Sequence, residues 1–222
     1  MTLRQAQRQA QRGRPLLITD CDEVLLHMVK HFRDWLADHR GVDFTIGAGD
    51  FSRSMRRNGE AIEAEEMWTL LRDFFPGEMD RQTLVPGAAE ALKALAQVAD
   101  IVVLTNLADE CQGPRLEQLA RFGIRHRVQC NQGGKGGPVA ALWEEHGRPV
   151  TVFVDDLPIH HSSVAKHAPA VHRLHMVAEP ELAPAIPPAA DAHARIDDWA
   201  DAQAWIAARF AAGVPAIQEE LP

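Results

Sequence analysis

Three short apolar runs punctuate the chain, and each ends in a polar group able to do chemistry. Residues 16–19 (LLIT) lead into Asp20-Cys21-Asp22-Glu23, residues 101–104 (IVVL) into Thr105-Asn106, and residues 150–154 (VTVFV) into Asp155-Asp156. Apolar runs this short, bounded by turn formers, read as strands buried on both faces. Elsewhere apolar residues recur at helical spacing. Met28, Val29, Phe32, Trp35 and Leu36 predict a helix that Gly41 ends, and Ile62, Met67, Leu70, Leu71 and Phe74 predict a second, stopped at Pro76-Gly77. Residues 42–59 between them, with Gly47, Gly49, Asn58 and Gly59, read as loop.

Further on, Pro86-Gly87 opens a helix with Ala91, Leu92, Leu95 and Val98 on one face. Pro114 suits the first turn of another, with Leu116, Leu119 and Ala120 inward, and Pro138 begins one carrying Val139, Leu142 and Trp143. Residues 159–167 predict a helix, 127–130 and 170–176 weaker strands, and 178–190, rich in Ala and Pro, a surface loop. Asp197 or Asp198 caps a last helix with Trp199, Trp205 and Ile206 on its inner side.

Strands that alternate with helices imply βαβ crossovers, hence an α/β fold: a Rossmann-like parallel sheet with helices on both faces. Residues 27–82 break the alternation with two helices and no convincing strand, so they predict a small all-helical cap. The expected organisation is a basic tail over 1–14, a core over 15–26 and 83–212, the cap over 27–82 and a tail over 213–222.

Composition narrows the function. The 222 residues are 46% hydrophobic and 24% charged, as in an ordinary soluble domain. A net charge of −8 argues against a general nucleic-acid surface. An acidic protein that handles phosphate must gather positive charge locally or borrow it from a metal ion. Three cysteines without a CxxC pair argue against a disulfide framework or structural zinc and fit a reducing, cytoplasmic setting. No stretch reaches the ~18 apolar residues of a membrane span, and the N-terminus lacks the apolar centre of a signal peptide. Arg4, Arg8 and Arg12 would share one helical face; a solvated tail is favoured over a transit peptide. The expected partner is a small molecule, not nucleic acid or membrane.

Open parallel sheets bind ligands at the carboxyl ends of their strands, so the polar groups that follow the runs should converge. Asp20 could attack phosphorus while Asp22 shuttles the proton. Asp155 and Asp156 repel each other unless a cation relieves them, and Mg²⁺ takes oxygen ligands of this kind, with Asp20 as a third. The Thr105 hydroxyl and the neighbouring N–H of Asn106 could grip a phosphoryl oxygen. Lys135, one of only four lysines, sits in Gly133-Gly134-Lys135-Gly136-Gly137-Pro138 and could neutralise the phosphoryl group and restrain Asp20. That loop lacks the P-loop spacing. Arg53 and Arg56, beside Arg57, could hold an anionic part of the substrate, or simply be a solvated basic loop. His160 and His161 are adjacent on a helix and so should face apart rather than share a metal. Each element alone is weak: a DxD often just begins a turn.

Taken in order, Asp-x-Asp, Thr, Lys and Asp-Asp resemble the motifs of the haloacid dehalogenase-like (HAD) phosphohydrolase superfamily over about residues 15–176. The resemblance implies Asp20 as nucleophile, Asp22 as general acid/base, and Thr105 and Lys135 as phosphate-site groups. It also implies Mg²⁺ held by Asp20, Asp155, Asp156 and the backbone carbonyl of Asp22. Three positions depart from the pattern: Glu23 where Gly is frequent, Gly136 after the lysine where Pro is common, and His160 where a further Asp often stands. The presence of Asp22 favours phosphate transfer over dehalogenation. The expectation is a Mg²⁺-dependent phosphohydrolase acting on a small phosphorylated metabolite through an aspartyl-phosphate. The alternatives are a phosphotransferase or phosphomutase with the same nucleophile, or a non-catalytic HAD-like binding protein.

Overall fold

The computed structural model describes residues 13–47 and 54–216. Arg4, Arg8, Arg12 and Arg53 lie outside the described residues. From the N-terminal side, β1 (Leu16–Thr19) leads through a tight loop to β2 (Leu26–His27). An insertion follows: α1 (Val29–Arg40), β3 (Asp43–Phe44), β4 (Met55–Arg57), β5 (Glu60–Ala61) and α2 (Ala64–Glu78). β6 (Thr83–Leu84) returns the chain to the core, which continues as α3 (Ala88–Leu95), β7 (Asp100–Thr105), α4 (Gln112–Arg121), β8 (Arg127–Cys130) and α5 (Gly136–Glu145). It ends with β9 (Thr151–Asp155), α6 (Pro158–His167), β10 (His172–His175), β11 (Ala194–Arg195) and α7 (Trp199–Ala212).

The main sheet has six strands in the order β11-β10-β9-β1-β7-β8, all parallel. β1 lies at the centre, with Ile18 opposite Val102 of β7 and Phe153 of β9. Period-two alternation splits the apolar runs between two layers. Leu17, Val103, Val152 and Val154 face a cluster with Leu92, Leu95, Trp199, Ile206 and Phe210, from α3 and α7. Leu16, Ile18, Val102, Leu104 and Phe153 face Val139, Leu142 and Val164, from α5 and α6. Both faces are covered, which is why these strands are apolar throughout. Asp198 caps α7, accepting from the Asp201 N–H at 2.9 Å.

The insertion has its own apolar cluster, built from Phe32, Trp35, Leu36, Met67, Leu70 and Phe74 among others. It joins the core through β2 and β6, which pair antiparallel. The expectation of an all-helical cap needs correction, because β3, β4 and β5 form a small antiparallel sheet beside the two helices. Strands of two or three residues are too short for an alternation to show, and the glycines around them read as loop.

Other expectations change in detail. α2 runs through Pro76 to Glu78. Pro76 forfeits one hydrogen bond in the last turn and the helix ends two residues later, while Phe74 before it is locked in the apolar cluster. Leu116 and Val98, expected inward, are exposed. The chain beyond Gly213 stays tied down as far as Ala216, whose N–H donates to the Ala170 carbonyl at 3.0 Å. Among the described residues no helix is long and apolar enough to cross a membrane.

Candidate active site

The sheet ladder carries the first acid to the carboxyl edge: the Asp20 N–H donates to the Val154 carbonyl at 2.8 Å. The loop then turns tightly, with the Cys21 carbonyl accepting from Leu25 and Leu26 at 2.7 and 2.9 Å. Glu23 takes a left-handed backbone conformation, φ 59°, which glycine adopts more cheaply. Its side chain has a compensating use. Glu23 Oε1 accepts from the Met28 and Val29 N–H groups at 2.7 and 2.6 Å, capping α1. Burial, opposed by those two bonds, raises the Glu23 carboxyl to about 7.

Lys135 lies just before α5 and is wholly buried. Its Nζ stands 2.8 Å from Asp20 Oδ1 and 2.7 Å from Asp155 Oδ2. The glycines around it serve packing more than phosphate. A Cβ on Gly136 would meet the Ser163 carbonyl oxygen at 2.2 Å, so only glycine lets α5 approach α6 this closely. The Gly136 N–H also donates to Ser163 Oγ at 3.0 Å. That contact is a physical reason for glycine at this position.

Asp20, Asp155 and Asp156 each offer a carboxylate oxygen within 4.8 Å of the others. One ammonium cannot balance three carboxylates, and the acids are pushed toward their protonated forms. Asp20 is raised to about 7, chiefly by burial, with Asp155 and Asp22 adding and Lys135 opposing. Asp156 is raised well above the carboxylate range by its enclosure and then by Asp155 and Asp20. Burial works against the charge on Lys135, but Asp155 and Asp20 outweigh it and hold its pKa up. An all-oxygen donor set short of positive charge fits a hard cation such as Mg²⁺. Asp20 Oδ1 is already pinned by Lys135 and by the Cys21 N–H at 2.7 Å. Oδ2 has no hydrogen bond among the described residues, which leaves it for an incoming group.

Asp22 is not part of that acid cluster. Its two oxygens each lie 3.0 Å from Arg115 Nη2, while Gln82 Nε2 donates to Oδ1 at 2.7 Å and Thr105 Oγ1 to Oδ2 at 3.4 Å. Arg115 is wholly buried, and its Nη1 also donates to Gln82 and Gln118 Oε1, both at 3.0 Å. Gln118 in turn donates to the Met79 carbonyl. Sequence reasoning missed these three residues. It turned α4 by its apolar residues, whereas the structure buries Arg115 and Gln118 with Leu119 and leaves Leu116 outside. The available signal was an Arg-x-x-Gln pair one helical turn apart.

Thr105 is buried against Asp22, and Asn106 is exposed. Asn106 Nδ2 donates to the Gly133 carbonyl at 3.0 Å and its Oδ1 accepts from Asn131 at 2.8 Å, bracing the loop that carries Lys135. Arg56 is not brought in. Its guanidinium donates to the Gly59 carbonyl of its own hairpin at 3.0 Å, and no contact links it to the acids or Lys135. Arg57 pairs with Glu66. His160 and His161 face apart as expected: His160 Nε2 meets Asn106 Nδ2 at 3.3 Å, and His161 Nε2 meets the Asp155 carbonyl at 3.0 Å. Burial pushes the Cys21 thiol up, so it is a poor nucleophile or redox group.

Acids after β1 and β9, a hydroxyl ending β7 and a lysine after β8 meet where the chain, having built one side of the sheet, turns back to build the other. That is the ligand-binding switch point of a doubly wound α/β protein. No family model matches the sequence, and no curated protein matches it. Solved structures do. A haloacid dehalogenase-like hydrolase from Streptococcus pneumoniae superposes with TM-score 0.61 at 11% identity, covering 88% of this chain and 99% of that one. A haloacid dehalogenase-like family hydrolase from Xanthomonas campestris gives 0.57 at 17% identity over 91% and 98% of the two chains. A predicted phosphoglycolate phosphatase from Haemophilus somnus gives 0.55 at 19% identity over 86% and 97%. The fold is the haloacid dehalogenase-like fold.

Proposed function

We propose that the protein is a Mg²⁺-dependent phosphohydrolase that cleaves a small phosphorylated metabolite through a phosphoryl group carried on Asp20. The observation that carries this reading is Lys135, buried and shared between Asp20 and Asp155 at hydrogen-bond distance. It fixes one Asp20 oxygen and leaves the other for attack. Asp20 Oδ2 forms the bond to phosphorus as the bond to the ester oxygen breaks, and Asp22, entering this step protonated, gives that oxygen its proton. Water then attacks the phosphorus of the aspartyl-phosphate, Asp22 takes the proton, and phosphate leaves with Asp20 restored. Asp22 faces only donors in the structure, as suits the step in which it accepts. The Thr105 hydroxyl and the Asn106 N–H, with Lys135, would hold the phosphoryl oxygens. Mg²⁺, held by Asp20, Asp155, Asp156 and the Asp22 carbonyl, would neutralise charge on the transferring group.

The test is phosphate release from an aryl phosphate and a panel of phosphorylated metabolites, with Mg²⁺ or EDTA. Wild type should need the metal, and Asp20→Asn should fall to background with the fold intact by circular dichroism. Turnover retained in Asp20→Asn overturns the reading. Phosphate moved onto an added alcohol or sugar instead of water would favour the phosphotransferase.

A further inference from the structure

Away from the acid cluster, three more side chains turn buried polar atoms toward one another where the insertion meets the core. Glu23 follows Asp22 in the loop after β1, His27 ends β2, and Glu179 lies beyond β10. They are 1%, 6% and 3% exposed. Glu23 Oε2, His27 Nδ1 and Glu179 Oε2 have no hydrogen-bond partner among the described residues. One ligand atom from each lies within 4.8 Å of the others. The outward oxygens are accounted for. Glu23 Oε1 is held by the Met28 and Val29 N–H groups, and Glu179 Oε1 accepts from the Glu181 N–H at 3.3 Å. Backbone donors therefore orient both carboxylates, and the oxygens left over point inward. His27 Nδ1 and Glu179 Oε2 face each other at 3.2 Å as an ion pair when the ring is protonated, which leaves Glu23 Oε2 beside them with no partner of either kind among the described residues. Two buried carboxylates and a ring nitrogen so placed are costly unless a cation or protons join them.

We propose that Glu23, His27 and Glu179 form a second metal site that binds one first-row divalent cation of the Zn²⁺ or Co²⁺ class through Glu23 Oε2, His27 Nδ1 and Glu179 Oε2. The imidazole nitrogen selects such ions over Mg²⁺, which keeps to oxygen. Tetrahedral bonds of about 2.0–2.2 Å put neighbouring ligand atoms roughly 3.3–3.6 Å apart, so small turns of the side chains suffice. The ion's role is to fasten a junction. Glu23 caps α1, His27 ends a strand linking insertion to core, and the Ala178 N–H donates to the Glu23 carbonyl at 2.9 Å. One ion thus ties the Asp20–Asp22 loop, the insertion and the segment after β10 together. The inference does not depend on the phosphoryl chemistry proposed above.

The experiment is equilibrium dialysis of the metal-stripped full chain against micromolar Co²⁺ with millimolar Mg²⁺ present to compete for the all-oxygen cluster. Bound Co²⁺ is read by elemental analysis, by visible d–d absorption and by the melting temperature. One retained Co²⁺ per chain, with a raised melting temperature, is expected for wild type and for Asp156→Asn. His27→Ala and Glu179→Gln should each weaken binding at least about tenfold and lose the melting shift. If His27→Ala does not fold, the near-isosteric Glu179→Gln decides. No retained Co²⁺, which would mean that protons alone satisfy the cluster, overturns the proposal. So does Co²⁺ that persists in folded Glu179→Gln or disappears in Asp156→Asn.

Discussion

Arg115 has no access to water, so its charge must be met by the protein, and Asp22 meets it with both oxygens at 3.0 Å. Removing one partner of a buried pair strands the other, at a cost of about 3–5 kcal/mol. Arg115→Met should therefore lower the melting temperature, and it should also free the Asp22 carboxylate from its orientation. For the folded variant, under the proposed chemistry, we expect kcat to fall at least about tenfold, within the range general acid–base groups contribute, with KM little changed. Arg115→Lys should recover more stability than kcat, since a single ammonium cannot hold both oxygens in the plane of a guanidinium. A lower melting temperature with kcat unchanged would reduce Arg115 to a structural role. Asp20 and Asp155 were readable in the sequence because each ends an apolar run with a group out of place in a core, and Lys135 because it is one of four lysines and sits in a glycine-rich loop. Arg115 and Gln118 on α4 and Gln82 in the link before β6 were not, since a buried polar residue looks like surface until its partner is placed.

At the scale of elements, two contacts between β9, α5 and α6 support the acids. The first is the crossing at Gly136, where a Cβ would fall 2.2 Å from the Ser163 carbonyl oxygen. Backbone cannot yield there as a flexible side chain would. Gly136→Ala should destabilise by at least about 1–3 kcal/mol and, by displacing Lys135, lower turnover; thermal melting and kinetics read both. A variant as stable and active as wild type would contradict the packing described. The second is His161, buried beneath β9 with Nδ1 unpartnered and its pKa lowered to about 4, mainly by burial. The folded protein binds this proton more weakly than the unfolded chain, whose histidine titrates near 6.5. His161 is thus neutral and harmless above pH 6.5, and stability is lost as pH falls from there toward 4. The loss is on the order of 3 kcal/mol. Melting temperatures measured from pH 7 to 4.5 should fall more steeply for wild type than for His161→Asn; equal slopes would contradict it. The long strands and helices were legible because their periods repeat. β3, β4 and β5 were not, because two or three residues make no period and tertiary pairing alone defines them.

Across the whole molecule, the parallel sheet brings together groups 136 positions apart, Asp20 and Asp156, at one edge. The insertion meets that edge at β2 and β6, beside the loop that holds both Asp20 and Asp22. Fold and order of motifs were readable because strand ends are where such sheets place their chemistry. Substrate identity was not, since the arginine expected to hold an anionic part of the substrate, Arg56, donates instead to the Gly59 carbonyl of its own hairpin. If Asp20 carries the phosphoryl group as proposed, mass spectrometry after rapid acid quench detects it there. Protein mixed with Mg²⁺ and a reactive acyl phosphate, quenched and digested, should yield a peptide with one phosphoryl group on Asp20. The adduct should be absent with EDTA or in Asp20→Asn. Turnover with no adduct on Asp20, or an adduct on another residue that survives Asp20→Asn, would contradict the account.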